Sequence, residues 1–243
     1  MKNICLFFFL VYAGFACTRV PKENTFTIHG QFSNSKGEKI VLCEMDVKQA
    51  IALDSAVISK DGNVVFTHAV DQPGFYLLVF PDGKRITLVI QKGEDLVIKG
   101  DLKDPEGKMT ITGSEDSELL ENFFRSTLKN KAGIDSVKNI LRAHEGSDDF
   151  LKVSMTADSL FSGISVNQKK TEKEFIDSHT NSLASLIVLN YSFGPRPILS
   201  MEEDLPYYLK LTNLCRLYPK NKHVLYHLTR VSLYLNNLKN LPD

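Results

Sequence analysis

Thiols and imidazoles carry the most diagnostic chemistry in this sequence, and their spacing is restrictive. The four cysteines are Cys5, Cys17, Cys43 and Cys215. No two are separated by two residues, so the CxxC pair used in thiol–disulfide exchange is missing. Cys43 lies in an apolar, strand-like run from Val41 to Met45, and Cys215 in a helix-like run from Leu211 to Tyr218. Two readings follow: both thiols packed as small hydrophobes, or a Cys43–Cys215 disulfide, which an oxidising compartment permits. His223 and His227 stand four apart, a spacing that lets two imidazoles share one helix face as half of a zinc site. The residues between them lack the Glu of HExxH, and no Cys or carboxylate ligand stands close by, so no metal is expected.

The other candidates are weaker. Asp54-Ser55-Ala56 offers a hydroxyl beside a carboxylate, but in a strand-like run and without the GxSxG elbow that exposes a nucleophilic serine. Together with Asp135-Ser136-Val137 and Asp158-Ser159-Leu160 it also fits a short acceptor pattern for O-glycosylation in the bacterial envelope. Asp101, Asp104 and Glu106 crowd a turn with Gly107, yet their spacing is not that of a calcium loop, and a solvated acidic turn is expected. Tyr207, Tyr208, Tyr226 and Tyr234 fall at helical spacing, where aromatics serve as core or boundary residues. Walker and GxGxxG signatures do not occur, so no catalytic residue and no cofactor is assigned.

Cys17 has a different role. Met1-Lys2-Asn3 precedes an apolar run from Ile4 to Ala16, which reads as a signal peptide over residues 1–16 and is too short to span a bilayer. Gly14-Phe15-Ala16-Cys17 is similar to a bacterial lipobox, with Gly14 where leucine is usual and the bulky Phe15 following it. Cys17 is therefore the expected lipid attachment site, and residues 17–24 the linker. Cleavage after Ala16 without lipidation is the alternative. A multiply acylated Cys17 would hold the chain on a membrane, and Thr18 after it favours the outer membrane of a Gram-negative envelope.

These residues need elements to position them. The chain has 243 residues, of which 43% are hydrophobic and 24% charged, enough to build a sizeable core. The 29 basic residues balance the 29 acidic ones and form no stripe, which argues against nucleic acid as a partner. From residue 25 to 113, short runs rich in β-formers lie at 26–32, 39–46, 50–59, 64–70, 75–80, 85–91, 95–101 and 108–113. Gly, Pro, Asn and Asp turns separate them, as in Lys60-Asp61-Gly62-Asn63. That predicts an antiparallel β-sandwich or barrel. From 114 to 243 the period becomes helical. Ser114-Glu115-Asp116 reads as a helix start, followed by Leu119, Leu120, Phe123, Phe124 and Leu128 on one face. Weaker helical stretches cover 135–143 and 149–179. Leu183–Leu189 reads as a buried helix, and Gly194-Pro195-Arg196-Pro197 as a break. A helix starting near Asp204 holds Pro206 in its first turn and ends before Pro219. The last helix places Val224, Leu228, Val231, Leu235 and Leu238 in one stripe. The fold class is thus α+β, with a β domain at 25–113 and a helical domain at 114–243.

The order of these features resembles a known family. Phe26–Gly30, Leu53–Ala56, Asp61–Phe66, Leu96–Asp101 and Ile111–Ser114 follow one another as in the uncharacterised β-rich domain that precedes the thioredoxin-like domain in envelope lipoproteins of the TlpA/ResA and AhpC/TSA type. Phe175–Ser182 and Tyr218-Pro219-Lys220-Asn221 are similar to segments of the helical part in that family. In those proteins a WCxxC-bearing domain follows; this sequence has no Trp and no CxxC. The resemblance therefore implies no redox residue here. It implies a non-catalytic binding or scaffolding module of the envelope, or else an accessory subunit or shortened relative working with a separate WCxxC redox protein.

Overall fold

In the computed structural model, residues 24–103, 109–195 and 197–240 are described. The signal segment, Cys17, and Asp104, Glu106 and Gly107 of the acidic turn lie outside them. Among the described residues, eight strands precede six helices. The strands β1 (Thr25–Ser33), β2 (Lys39–Met45), β3 (Ala50–Val57), β4 (Asn63–Ala69), β5 (Gly74–Val79), β6 (Arg85–Ile90), β7 (Asp95–Asp101) and β8 (Thr110–Thr112) fall within a few residues of the predicted runs.

They form two four-stranded sheets, ordered β4-β1-β7-β8 and β3-β2-β5-β6. The α+β class holds, as a sandwich with no closed barrel. One pairing departs from the antiparallel expectation: β1 lies parallel to β7, with Ile28 opposite Leu96 and Gly30 opposite Ile98. Strand periodicity reports which face is buried but not which neighbour a strand takes. Alternate residues of β1 (Phe26, Ile28, Gly30, Phe32) point inward. They meet Leu42, Phe66, Leu78, Leu88, Leu96 and Ile98 in the core between the sheets.

β5 breaks this alternation, because four consecutive residues, Phe75 to Leu78, are buried. At β5 the sheet is covered on both faces, and the run of apolar residues is the sequence mark of that. Tyr76 and Leu78 face the sandwich core. Phe75 faces the other way, with Val89 of β6, into a second core built by the helices. The layers are therefore sheet, sheet, helices.

The helices are α1 (Glu115–Ala143), α2 (Phe150–Ser178), α3 (Ala184–Leu189), α4 (Met201–Leu211), α5 (Leu214–Leu217) and α6 (Lys222–Lys239). α1 absorbs both helical stretches predicted between 114 and 143. α3 is the buried Leu183–Leu189 helix, with Ile187 alone half-buried. α4 begins three residues before Asp204, after a Ser200 cap whose hydroxyl accepts from the Glu203 amide. Asp204 then leaves helical geometry (φ −121°, ψ 25°). Pro206 lacks an amide hydrogen and its ring crowds the previous turn, so the helix restarts around it. α6 buries Val224, His227 and Val231, while Leu238 is exposed. The predicted stripe is thus rotated to take in His227 and fades before Leu238.

Candidate binding cleft

Each singled-out residue has a definite place. Cys43 is buried in β2, Cys215 half-buried in α5, and both thiols are free. His223 and His227 serve different neighbours. His223 Nε2 lies 2.8 Å from the Met45 carbonyl, with its ring edge-on to Phe75, and His227 Nε2 lies 2.9 Å from the Tyr208 carbonyl. A carbonyl only accepts, so both rings donate from Nε2 and join helix α6 to the sheet and to α4. Burial holds both imidazoles below the usual histidine range, and the carbonyl contacts only partly offset it. Ser55, Ser136 and Ser159 are all exposed. Tyr208 is buried and donates to the Leu199 carbonyl at 2.8 Å. Tyr207 lies under Lys173 and Lys210, and Tyr226 is exposed beneath Arg230.

A concave site forms elsewhere, where α1 leaves the sandwich. β6 and β8 are edge strands of different sheets, and α1 runs along both. At its N-terminal end the seal is tight. Ser117 Oγ accepts from the Val89 amide (3.0 Å) and donates to the Val89 carbonyl (2.8 Å), and Ser114 Oγ donates to the same carbonyl (2.8 Å). One turn further the helix diverges, and a cleft of about 370 Å³ opens between Arg85, Ile86 and Thr87 of β6, Met109 and Ile111 beside and in β8, Phe124, Arg125, Leu128 and Lys131 of α1, and Tyr191. Phe123, Phe124 and Tyr191 pack ring against ring behind it. Arg125 pairs with Glu121 and donates to the Met109 carbonyl at 2.7 Å, bridging helix and sheet edge.

The cleft's chemistry suits holding a molecule more than transforming one. Its carboxylate, Glu121, is engaged by Arg125. Thr127 Oγ1 donates to the Phe124 carbonyl and Ser192 Oγ to the Gly194 carbonyl. No base stands beside a nucleophile there. Apolar walls with a few placed cations are the usual make-up of a small-molecule site. The sequence marks Phe124 and Leu128 only as part of an apolar helix face, and it singles out none of the lining residues as a binding residue. They come from segments far apart in the chain, and no short motif marks them.

A second polar cluster is buried between α1 and α2. Asn130 Nδ2 donates to Gln168 Oε1 (2.9 Å), and Gln168 Nε2 to Glu172 Oε1 (3.1 Å). Glu172 is fully buried, and its Oε2 has no partner among the described residues. Burial pushes this carboxyl up to about 8, with Asp204 adding to the shift. Asp204 shows the opposite outcome. Burial alone would raise it, but hydrogen bonds from Lys169, Lys173 and the Ser200 amide together hold it below the usual carboxylate range.

Residues 26–120 match the model of a family described as a domain of unknown function (DUF4369). The match covers the sandwich and the start of α1, in agreement with the expected uncharacterised β-rich domain. No curated protein sequence matches the chain. Among solved structures, it is similar to a 5-hydroxyisourate hydrolase from Klebsiella pneumoniae (17% identity, 38% of this chain and 99% of that one, TM-score 0.27). It is also similar to a DUF3823 family protein from Bacteroides uniformis (13%, 44% and 59%, TM-score 0.23). A third similarity is to a 9R-lipoxygenase from Cyanothece (12%, 69% and 30%, TM-score 0.21). Superposition that poor carries no argument about fold or function.

Proposed function

We propose that this chain is a non-catalytic binding module of the bacterial cell envelope, tethered through a lipid on Cys17. The observation that carries the binding role is the cleft between the β6 and β8 edges and α1: concave, apolar-walled, flanked by Arg85, Arg125 and Lys131, and without a nucleophile–base pair. The tether rests on the apolar run ending at Cys17. Among the described residues no helix is long and apolar enough to cross a membrane.

Two measurements test it. Metabolic labelling with an alkyne-bearing palmitate should mark the wild-type protein and not Cys17→Ala; equal labelling of both would remove the tether. Titration of the labelled protein with a mixture of small amphipathic acids and amides, followed by amide NMR, should shift signals clustered around Thr87, Phe124 and Tyr191. Scattered or absent shifts would remove the binding role.

A further inference from the structure

The edge of the sandwich exposed in the cleft has a polarity that selects among ligands. In an antiparallel strand the backbone groups of alternate residues point to the same side. The Lys84 carbonyl accepts from the Phe80 amide, so Lys84 faces inward, toward β5. Val89 points its amide and carbonyl outward, where Ser114 and Ser117 satisfy them. Thr87, two residues before Val89 and opposite Leu77, must therefore also point outward, as must Arg85. Among the described residues, nothing hydrogen-bonds the outward amide and carbonyl of Thr87. At Val89 helix α1 supplies a donor and an acceptor; at Thr87 it has moved away and the cleft takes its place.

Such a site offers one backbone donor and one backbone acceptor side by side, an apolar wall from Phe124 and Leu128, and the guanidinium of Arg85, which makes no ion pair within the described residues. A peptide group supplies the complementary acceptor and donor at strand spacing, as in recognition by strand addition. A carboxylate complements the guanidinium. We propose that the cleft binds the C-terminal end of an extended peptide, with main-chain hydrogen bonds to Thr87, an apolar side chain against Phe124 and Leu128, and the terminal carboxylate at Arg85. This rests on the cleft being the binding site and goes beyond it by naming the ligand class. Only two or three residues fit, because the Ser117 seal at Val89 closes one end of the edge.

The test uses three probes on the full mature protein: N-acetyl-trileucine, its C-terminal amide, and decanoate. The peptide acid should shift the amide signals of Arg85 and Thr87 and bind at least ten-fold more tightly than either other probe. The peptide amide lacks the charge and decanoate lacks the peptide groups. Arg85→Glu should reduce peptide-acid affinity at least ten-fold. Thr87→Pro removes the outward amide hydrogen at an edge position where proline is tolerated, and should do the same. A thermal melt confirms that each variant is folded, and either variant suffices if the other is not. Binding of decanoate as tight as the peptide acid, or unchanged affinity in a folded variant, would overturn the peptide assignment while leaving the cleft as a binding site. No shift at the cleft with any probe would overturn both.

Discussion

Glu172 is the residue with the largest built-in conflict. Its carboxyl is fully buried, half-partnered, and held near 8 against an ordinary value of 4.5. The sign follows from proton counting. Between about pH 4.5 and 8 the unfolded chain has lost this proton and the folded chain keeps it, so stability falls as pH rises through that window and levels off above it. The full shift corresponds to at most about 5 kcal/mol at roughly 1.4 kcal/mol per unit. His223 and His227 act oppositely: held below 6.5 by burial, they withdraw stability as pH falls under that value. Glu172→Gln, which can still accept from Gln168, should flatten the decline between pH 6.5 and 8 in urea unfolding; an unchanged slope would remove Glu172 as its source. Gly113 carries a second residue-scale constraint. Its φ is +89°, and a Cβ there would sit 2.1 Å from the Asp95 carbonyl oxygen. Gly113→Ala should lower the unfolding free energy by about 2 kcal/mol or more, read from the denaturation midpoint.

At the scale of elements, α1 does two jobs that pull it in different directions. Its first turn closes the β6 edge through Ser114 and Ser117, and its later turns stand off to leave the cleft. An uncovered edge is an invitation to strand pairing with other chains. Ser117→Ala removes both hydrogen bonds to buried Val89 and should destabilise by roughly 1–3 kcal/mol. Faster exchange of the Val89 amide, whose partner is Ser117 Oγ, should accompany the loss, and unaltered exchange would show that this hydrogen bond does not protect the edge. α6 is held by its cap as well as by its apolar face. Asn221 Oδ1 accepts from the His223 and Val224 amides, while its Nδ2 donates to the Pro73 carbonyl at 2.7 Å. One side chain thus starts the helix and fixes it to the turn before β5, so Asn221→Ala should cost about 1–2 kcal/mol, measured by thermal melting.

For the whole molecule, the sheet β3-β2-β5-β6 has no solvent face over β5 and β6. Phe75 and Val89 enter a core with Leu120, Phe123, Leu186 and Val224. Lys222 adds ion pairs to Glu44 and Asp46 across the same junction. A fragment of residues 24–113 would expose that apolar face. We expect it to bind a hydrophobic dye or self-associate, seen by fluorescence and size-exclusion chromatography. A monodisperse, dye-silent fragment would show that the sandwich is independent of its helices.

The local sequence determined all eight strands, the change of period at Ser114 and most of the helix starts, because turn chemistry and residue periodicity act within a few neighbours. The run from Phe75 to Phe80 reads only as a strand, and its burial on both faces emerges with the helices that cover β5. Three further things came only from the tertiary structure: the parallel β1–β7 pairing, the recruitment of His227 into the buried face of α6, and the cleft at Arg85, Thr87 and Phe124. Each depends on which distant segments meet, and that is decided by packing, which no short stretch of sequence encodes.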